Sequence, residues 1–168
     1  MQPTNPCLSI MEGAVLFGLN PSIIDIRIAK YTIGMETRSY WKEELHAKDG
    51  TKVYDEVDKI WRCDEYFYKF VEVNQKLKCN ESIEPGSFRM IGPRTALLKF
   101  YQTKKPNPIF IFEEGVEKII ERELDAKKDY PVDERGFKVY MKFGGTFFDV
   151  KAVHEKSGNF IKINLKYE

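Results

Sequence analysis

Two histidines, His46 and His154, and three cysteines, Cys7, Cys63 and Cys79, are the side chains of this chain best suited to nucleophilic or metal chemistry. Their spacing supports neither. The cysteines are odd in number and form no CxxC pair, and a structural zinc needs four converging Cys or His ligands. No Ser-His-acid arrangement is legible around either histidine. His154, near the end of a strand, reads as an ordinary surface or hydrogen-bonded side chain. Cys63, beside Trp61 and Arg62, has two readings, a low-pKa thiol or a buried core cysteine, and the second is favoured. Gly144-Gly145 has the composition of a phosphate-cradling loop, but no helix N-terminus follows it, so it reads as a hairpin turn. Glu43-Glu44 and Glu113-Glu114 read as solvated carboxylates rather than a general acid and base. The residues give no positive sign of catalysis, and neither a metal nor a cofactor is expected.

The elements around these residues are those of a folded domain. At 168 residues, 42% hydrophobic and 14% aromatic, the chain can bury a core and holds about one domain. Its 27 basic and 26 acidic residues leave a net charge of +1, which gives no overall field toward nucleic acid or membrane. The apolar run over residues 8–19 is too short to span a bilayer and has no basic leader or cleavage site. With unpaired thiols, this predicts a cytoplasmic setting and no nucleic-acid or membrane partner.

Residues 9–18 read as a helix, capped by Ser9 and ended by Gly18, and apolar on several sides. Asn20-Pro21 breaks it. From Ile24 the pattern alternates, with Ile24, Ile26 and Ile28 on one side, and a second alternating run carries Tyr31, Ile33 and Met35. Residues 39–64 form a charged and aromatic stretch with a turn at Asp49-Gly50, and residues 54–60 have no clean period. Residues 66–73 read as a strand, and 77–83 as an edge strand ending in a Pro85-Gly86 turn. Residues 98–102 and 109–112 read as two strands of a hairpin with a long loop. Residues 113–128 fit helical spacing through Val116, Ile119, Ile120 and Leu124. The last third is an antiparallel meander, in which Phe137, Val139, Met141 and Phe143, then Phe148, Val150 and Ala152, then Ile161, Ile163 and Leu165 alternate with polar residues.

Several stretches together resemble the heat-shock protein 70 family, and most closely its divergent heat-shock 70 kDa protein 12 group. They are Gly13-Ala14-Val15-Leu16-Phe17-Gly18-Leu19-Asn20-Pro21, Tyr31-Thr32-Ile33-Gly34, Asp49-Gly50, Lys69-Phe70-Val71 after Phe67, Asn74-Gln75, Gly115-Val116, Leu124-Asp125 and Met141-Lys142-Phe143-Gly144. The resemblance implies a mainly β fold, an antiparallel β-sandwich of the chaperone substrate-binding type preceded by one helix. It implies that residues 1–22 are the end of an actin-like ATPase domain, 23–30 the interdomain connector with Ile24, Ile26 and Ile28, and 31–168 the sandwich. It also turns residues 118–125 from helix to strand. The chain would then be a truncated, lidless piece of an ATP-driven parent. The phosphate loops and magnesium-linked acids have no counterpart here, so ATP and magnesium are expected only in a full-length relative.

By the same resemblance, Met35, Thr37, Phe88, Leu98 and Phe100 match the peptide-facing cleft, although alternation alone would make all five sandwich core. Arg38 stands where an apolar arch residue is usual. The expected function is non-catalytic binding of extended apolar polypeptide segments. The alternatives are a scaffolding module that binds a protein partner through Tyr40, Trp41, Tyr54 and Trp61, an ATPase completed by a separate nucleotide-binding domain, or a truncated product without a stable role. The helix at residues 9–18 is expected to leave its apolar surface uncovered.

Overall fold

The computed structural model describes residues 6–19, 26–78, 80–143 and 147–166. It is mainly β. A helix, α1 (Pro6–Leu19), comes first, followed by β1 (Ile26–Ile28), β2 (Thr32–Tyr40), a short helix α2 (Glu43–His46), β3 (Thr51–Asp55), β4 (Ile60–Val71), β5 (Lys76–Lys78), β6 (Ser82–Arg89), β7 (Thr95–Thr103), β8 (Val116–Asp125), β9 (Gly136–Phe143), β10 (Phe147–His154) and β11 (Phe160–Lys166). All pairings between these strands are antiparallel: a five-stranded sheet in the order β3-β4-β2-β7-β8, a four-stranded sheet β11-β10-β9-β6, and a small pair β1-β5.

The meander strands β9, β10 and β11 alternate buried and exposed residues as their sequence does, and their inner faces carry Val139, Met141, Phe143, Phe148, Val150, Ile163 and Leu165. Against them the five-stranded sheet sets Ile33, Met35, Phe70, Leu98, Phe100 and Leu124. Burying each such side chain stabilises the sandwich by about 1.5–3 kcal/mol before the ordering cost. Tyr68 of β4 meets Phe88 of β6 edge-on with ring centroids 5.0 Å apart, which joins the two sheets.

Three local readings of the sequence differ from the structure, each for a physical reason. Residues 116–125 form a strand, not a helix. A bulge opposite Phe100 and Tyr101 skips Ile119, so both Ile119 and Ile120 pack on the core, and this produces the helix-like spacing. Pro85-Gly86 is a bulge inside β6 rather than a turn, tolerated because β6 is an edge strand where proline's missing N–H is not needed. Residues 109–112 do not form a hairpin with β7. Phe110 makes a single bridge to Tyr66, and the Glu113 carboxylate accepts the N–H groups of Ile109 (2.6 Å) and Phe110 (3.0 Å), which pins this segment as a loop.

The N-terminal helix begins earlier than Ser9, at Pro6, and Ile10, Met11, Val15, Leu16 and Leu19 on it are exposed. The Asn20-Pro21 break, Ile24, Cys79 and the Gly144-Gly145 turn lie outside the described residues.

His46 is fully buried between Trp41, Tyr66 and Phe110. Its Nδ1 accepts the Lys42 N–H at 3.0 Å, and its Nε2 has no partner among the described residues. Burial first, and the Lys42 charge second, pull its pKa below the ordinary histidine value. Because the unfolded chain takes up this proton more readily, stability falls as pH drops from about 6.5 through the lowered folded pKa, and the loss is complete below it. The urea midpoint of the wild type should therefore decline over that window more steeply than that of His46→Asn, which retains an acceptor for Lys42 but does not titrate. Parallel pH profiles for the two proteins would refute this.

Candidate functional site: a cleft where the sheet divides

Strands β2 and β7 pair only over Thr32↔Thr103 to Met35↔Phe100. Beyond that point β2 continues with β4 toward Tyr40, while the first half of β7, from Thr95, stays with β8. No ladder joins residues 36–40 to residues 95–99, so the five-stranded sheet divides there. A bulge in β4, where Asp64 and Glu65 stand opposite Arg38 alone, bends the β2–β4 pair there. The division opens a cleft of about 850 Å³ between the sheets.

Apolar residues form much of the lining. Met35, Leu98, Met90 and Phe137 are almost wholly buried and offer only their edges, Phe88 is half-buried, and Tyr40, Ile91 and Leu97 stand exposed at the mouth. Charged side chains flank them in neutralised pairs. Arg38 holds Asp64 with two parallel bonds of 3.2 and 3.1 Å. Lys99 bonds one oxygen of Glu36 at 3.0 Å and the Tyr101 hydroxyl donates to the other at 2.9 Å. Burial, and then that bond to Glu36, push the Tyr101 phenol above its ordinary pKa, so it remains a donor. Arg135 donates to the carbonyls of Tyr130 (2.9 Å) and Ile91 (3.1 Å), which fixes the loop carrying Ile91.

Of the five residues assigned to a cleft from the sequence, Met35, Thr37, Phe88 and Leu98 line this one. Phe100 does not. It is fully buried and stacks on Phe70, with ring centroids 6.4 Å apart, in the sandwich interior. Ile26 and Ile28, assigned to a connector, lie half-exposed on β1, which pairs with β5. The sequence reading placed none of Ile91, Leu97 and Arg89 at a site, and it gave Tyr40 to a partner-docking surface instead. Alternation credits Leu98 to the interior and so discards its neighbour Leu97, and nothing in the sequence marks where two strands stop pairing.

The side chains best suited to nucleophilic or metal chemistry lie elsewhere. His154 is buried beside Tyr130 and shares its Nδ1 with the Ser157 hydroxyl at 2.9 Å. Cys63 is buried, and its thiol is pushed up by burial and then by Asp64 and Glu65, the reverse of activation. Among the described residues no three His, Cys, Asp or Glu side chains converge as metal ligands, and no helix is long and apolar enough to cross a membrane.

No protein-family profile matches the chain. It is similar to heat shock 70 kDa protein 12A of Mus musculus and of Homo sapiens, each 27% identical over 177 residues. Human heat shock 70 kDa protein 12B is 26% identical over 174 residues. In each case the match covers 98% of this chain, and it spans 25% of the relative's length.

Proposed function

We propose that this chain, a divergent relative of the heat-shock protein 70 family with homologues in its 12A and 12B members, binds extended apolar polypeptide segments in the cleft and does so without catalysis. The observation that carries this reading is the divided sheet. It leaves two backbone edges facing one another beside apolar pockets, the arrangement that an extended chain recognises through main-chain hydrogen bonds and alternate side chains. On this reading Met35, Thr37, Phe88 and Leu98 contact the ligand, while Phe100 supports the floor from behind. Residues 1–22 belong to the end of an ATPase domain and β1 to a connector, and ATP and magnesium act only in a full-length relative. The free thiols of Cys7 and Cys63 suit a reducing, cytoplasmic setting.

The test is anisotropy of a fluorescein-labelled apolar heptapeptide titrated with the protein. Saturable binding is expected, and Ile91→Asp or Leu97→Asp, both exposed in the free protein, should weaken it about tenfold by removing apolar contact. Failure to bind any of several heptapeptide sequences would overturn the reading.

A second reading rests on its own observation. Tyr54 and Trp61 pair edge-on at 5.1 Å and are exposed, as is Tyr40, which is the surface expected of a module that docks a folded partner.

A further inference from the structure

One end of the cleft is bounded by a hairpin tip that is tethered to the other sheet. The hairpin β3–β4 sits at the edge of the five-stranded sheet, and its tip, residues 55–58, reaches β6 of the four-stranded sheet. Within the tip, Asp55 accepts the N–H groups of Val57 (3.0 Å) and Asp58 (3.2 Å), and Arg62 bonds both Asp55 (2.7 Å) and Asp58. Across the gap, Arg89 of β6 donates to Asp58 with both nitrogens, at 2.8 and 2.8 Å, and to Asp55 at 2.9 Å. Val57, which lies against the cleft, is 52% exposed, so little apolar burial adds to this tether.

The hairpin also has a joint. Glu65 interrupts β4 with a left-handed φ of 54°, between Cys63, which pairs with Ser39, and Tyr66, which pairs with Thr37. A non-glycine residue in that region marks a bulge, where the ladder is weakest and the strand direction changes. Beyond Glu65 the arm of residues 51–64 carries the end of β2 with it, Ser39 paired to Cys63 and Tyr40 to Arg62, and it meets the opposite sheet through one arginine.

We infer that the β3–β4 arm is a lid over the cleft, hinged at Glu65 and latched by Arg89 to Asp55 and Asp58, and that its opening sets the rate of ligand exchange. This rests on the cleft being the ligand site. The latch side chains Arg89, Asp58 and Asp55 are 35%, 30% and 11% exposed, so salt weakens the latch in part, unlike an apolar one. It is not acid-sensitive near neutrality. Hydrogen bonds from Arg89 and then Arg62 hold the Asp58 carboxyl at about 2, so its contribution is complete above the ordinary aspartate range and is lost only as pH falls through about 2. Salt is thus the physical lever, and a gate predicts that it accelerates both entry and exit.

Hydrogen exchange of the unliganded full chain tests the lid, and stopped-flow binding of the labelled heptapeptide tests the gate. In Arg89→Gln, amides of residues 55–62 should exchange on the order of fivefold faster while those of β9 and β10 are unchanged. Association and dissociation of the heptapeptide should both quicken, and 0.5 M salt should shift the wild type in the same direction as Arg89→Gln. Unaltered exchange in the arm overturns the lid, and unaltered peptide rates with a loosened arm overturn the gate. A wild type that binds no heptapeptide refutes the cleft itself, a result distinct from either.

Discussion

Phe100→Ala is expected to lower the stability of the domain by about 3–5 kcal/mol, a large fraction of the total for a domain of this size. Phe100 is fully buried, and it occupies the last paired position before β2 and β7 separate. Its ring stacks on Phe70, which itself meets Phe88 from the other sheet at 6.4 Å. Removing the ring empties a volume that neighbours held by their own ladders cannot fill, so both the transfer loss and the cavity remain. The urea midpoint should fall with the slope unchanged, because the surface exposed on unfolding is nearly the same. The same variant separates core from cleft. Under conditions where it stays folded, its affinity for the labelled heptapeptide should match the wild type, since Phe100 lies behind the cleft floor. Intact stability with lost binding would place the ring on the ligand instead.

That contrast shows what the sequence makes legible. The sandwich was readable because its cause is local: alternation from Phe137 to Phe143 and from Phe148 to Ala152 assigns each residue to a face without knowledge of its partner. The strand β8 was not readable locally, because a bulge at Ile119 depends on the strand beside it. The cleft was partly readable through the family resemblance, which pointed to Met35, Thr37, Phe88 and Leu98. Leu97, Ile91 and the Arg89 latch were invisible, since they depend on where one ladder stops and on which turn reaches the opposite sheet. Such long-range facts leave no periodic trace. Nothing in the sequence singles out Asp55, Asp58 and Arg89, and only tertiary geometry joins them with Arg62 in a network.

Gly34→Ala is expected to cost about 3 kcal/mol or more, although it adds a single methyl group. Gly34 lies on the central strand β2, paired with Lys69 on one side and Tyr101 on the other, next to a register shift at Ile33. That shift brings the neighbouring strand close. A Cβ at Gly34 would lie 2.5 Å from the Tyr68 carbonyl oxygen, well inside contact distance, and would overlap the Phe67 ring. The carbonyl belongs to the backbone of a strand and the ring is fully packed, so neither can give way cheaply. Trimming the ring with Phe67→Leu should therefore rescue only part of the loss, because the carbonyl contact survives. Gly13 supplies the control: nothing lies within 4 Å of its Cβ position on α1, so Gly13→Ala should be neutral or stabilising by about 1 kcal/mol through helix propensity. Chemical denaturation of the two variants side by side checks both values. A small effect of Gly34→Ala would mean that β2 and β4 can separate at this point. The β2–β7 ladder on the other side of Gly34, from Thr32 to Met35, would keep the cleft floor where it is.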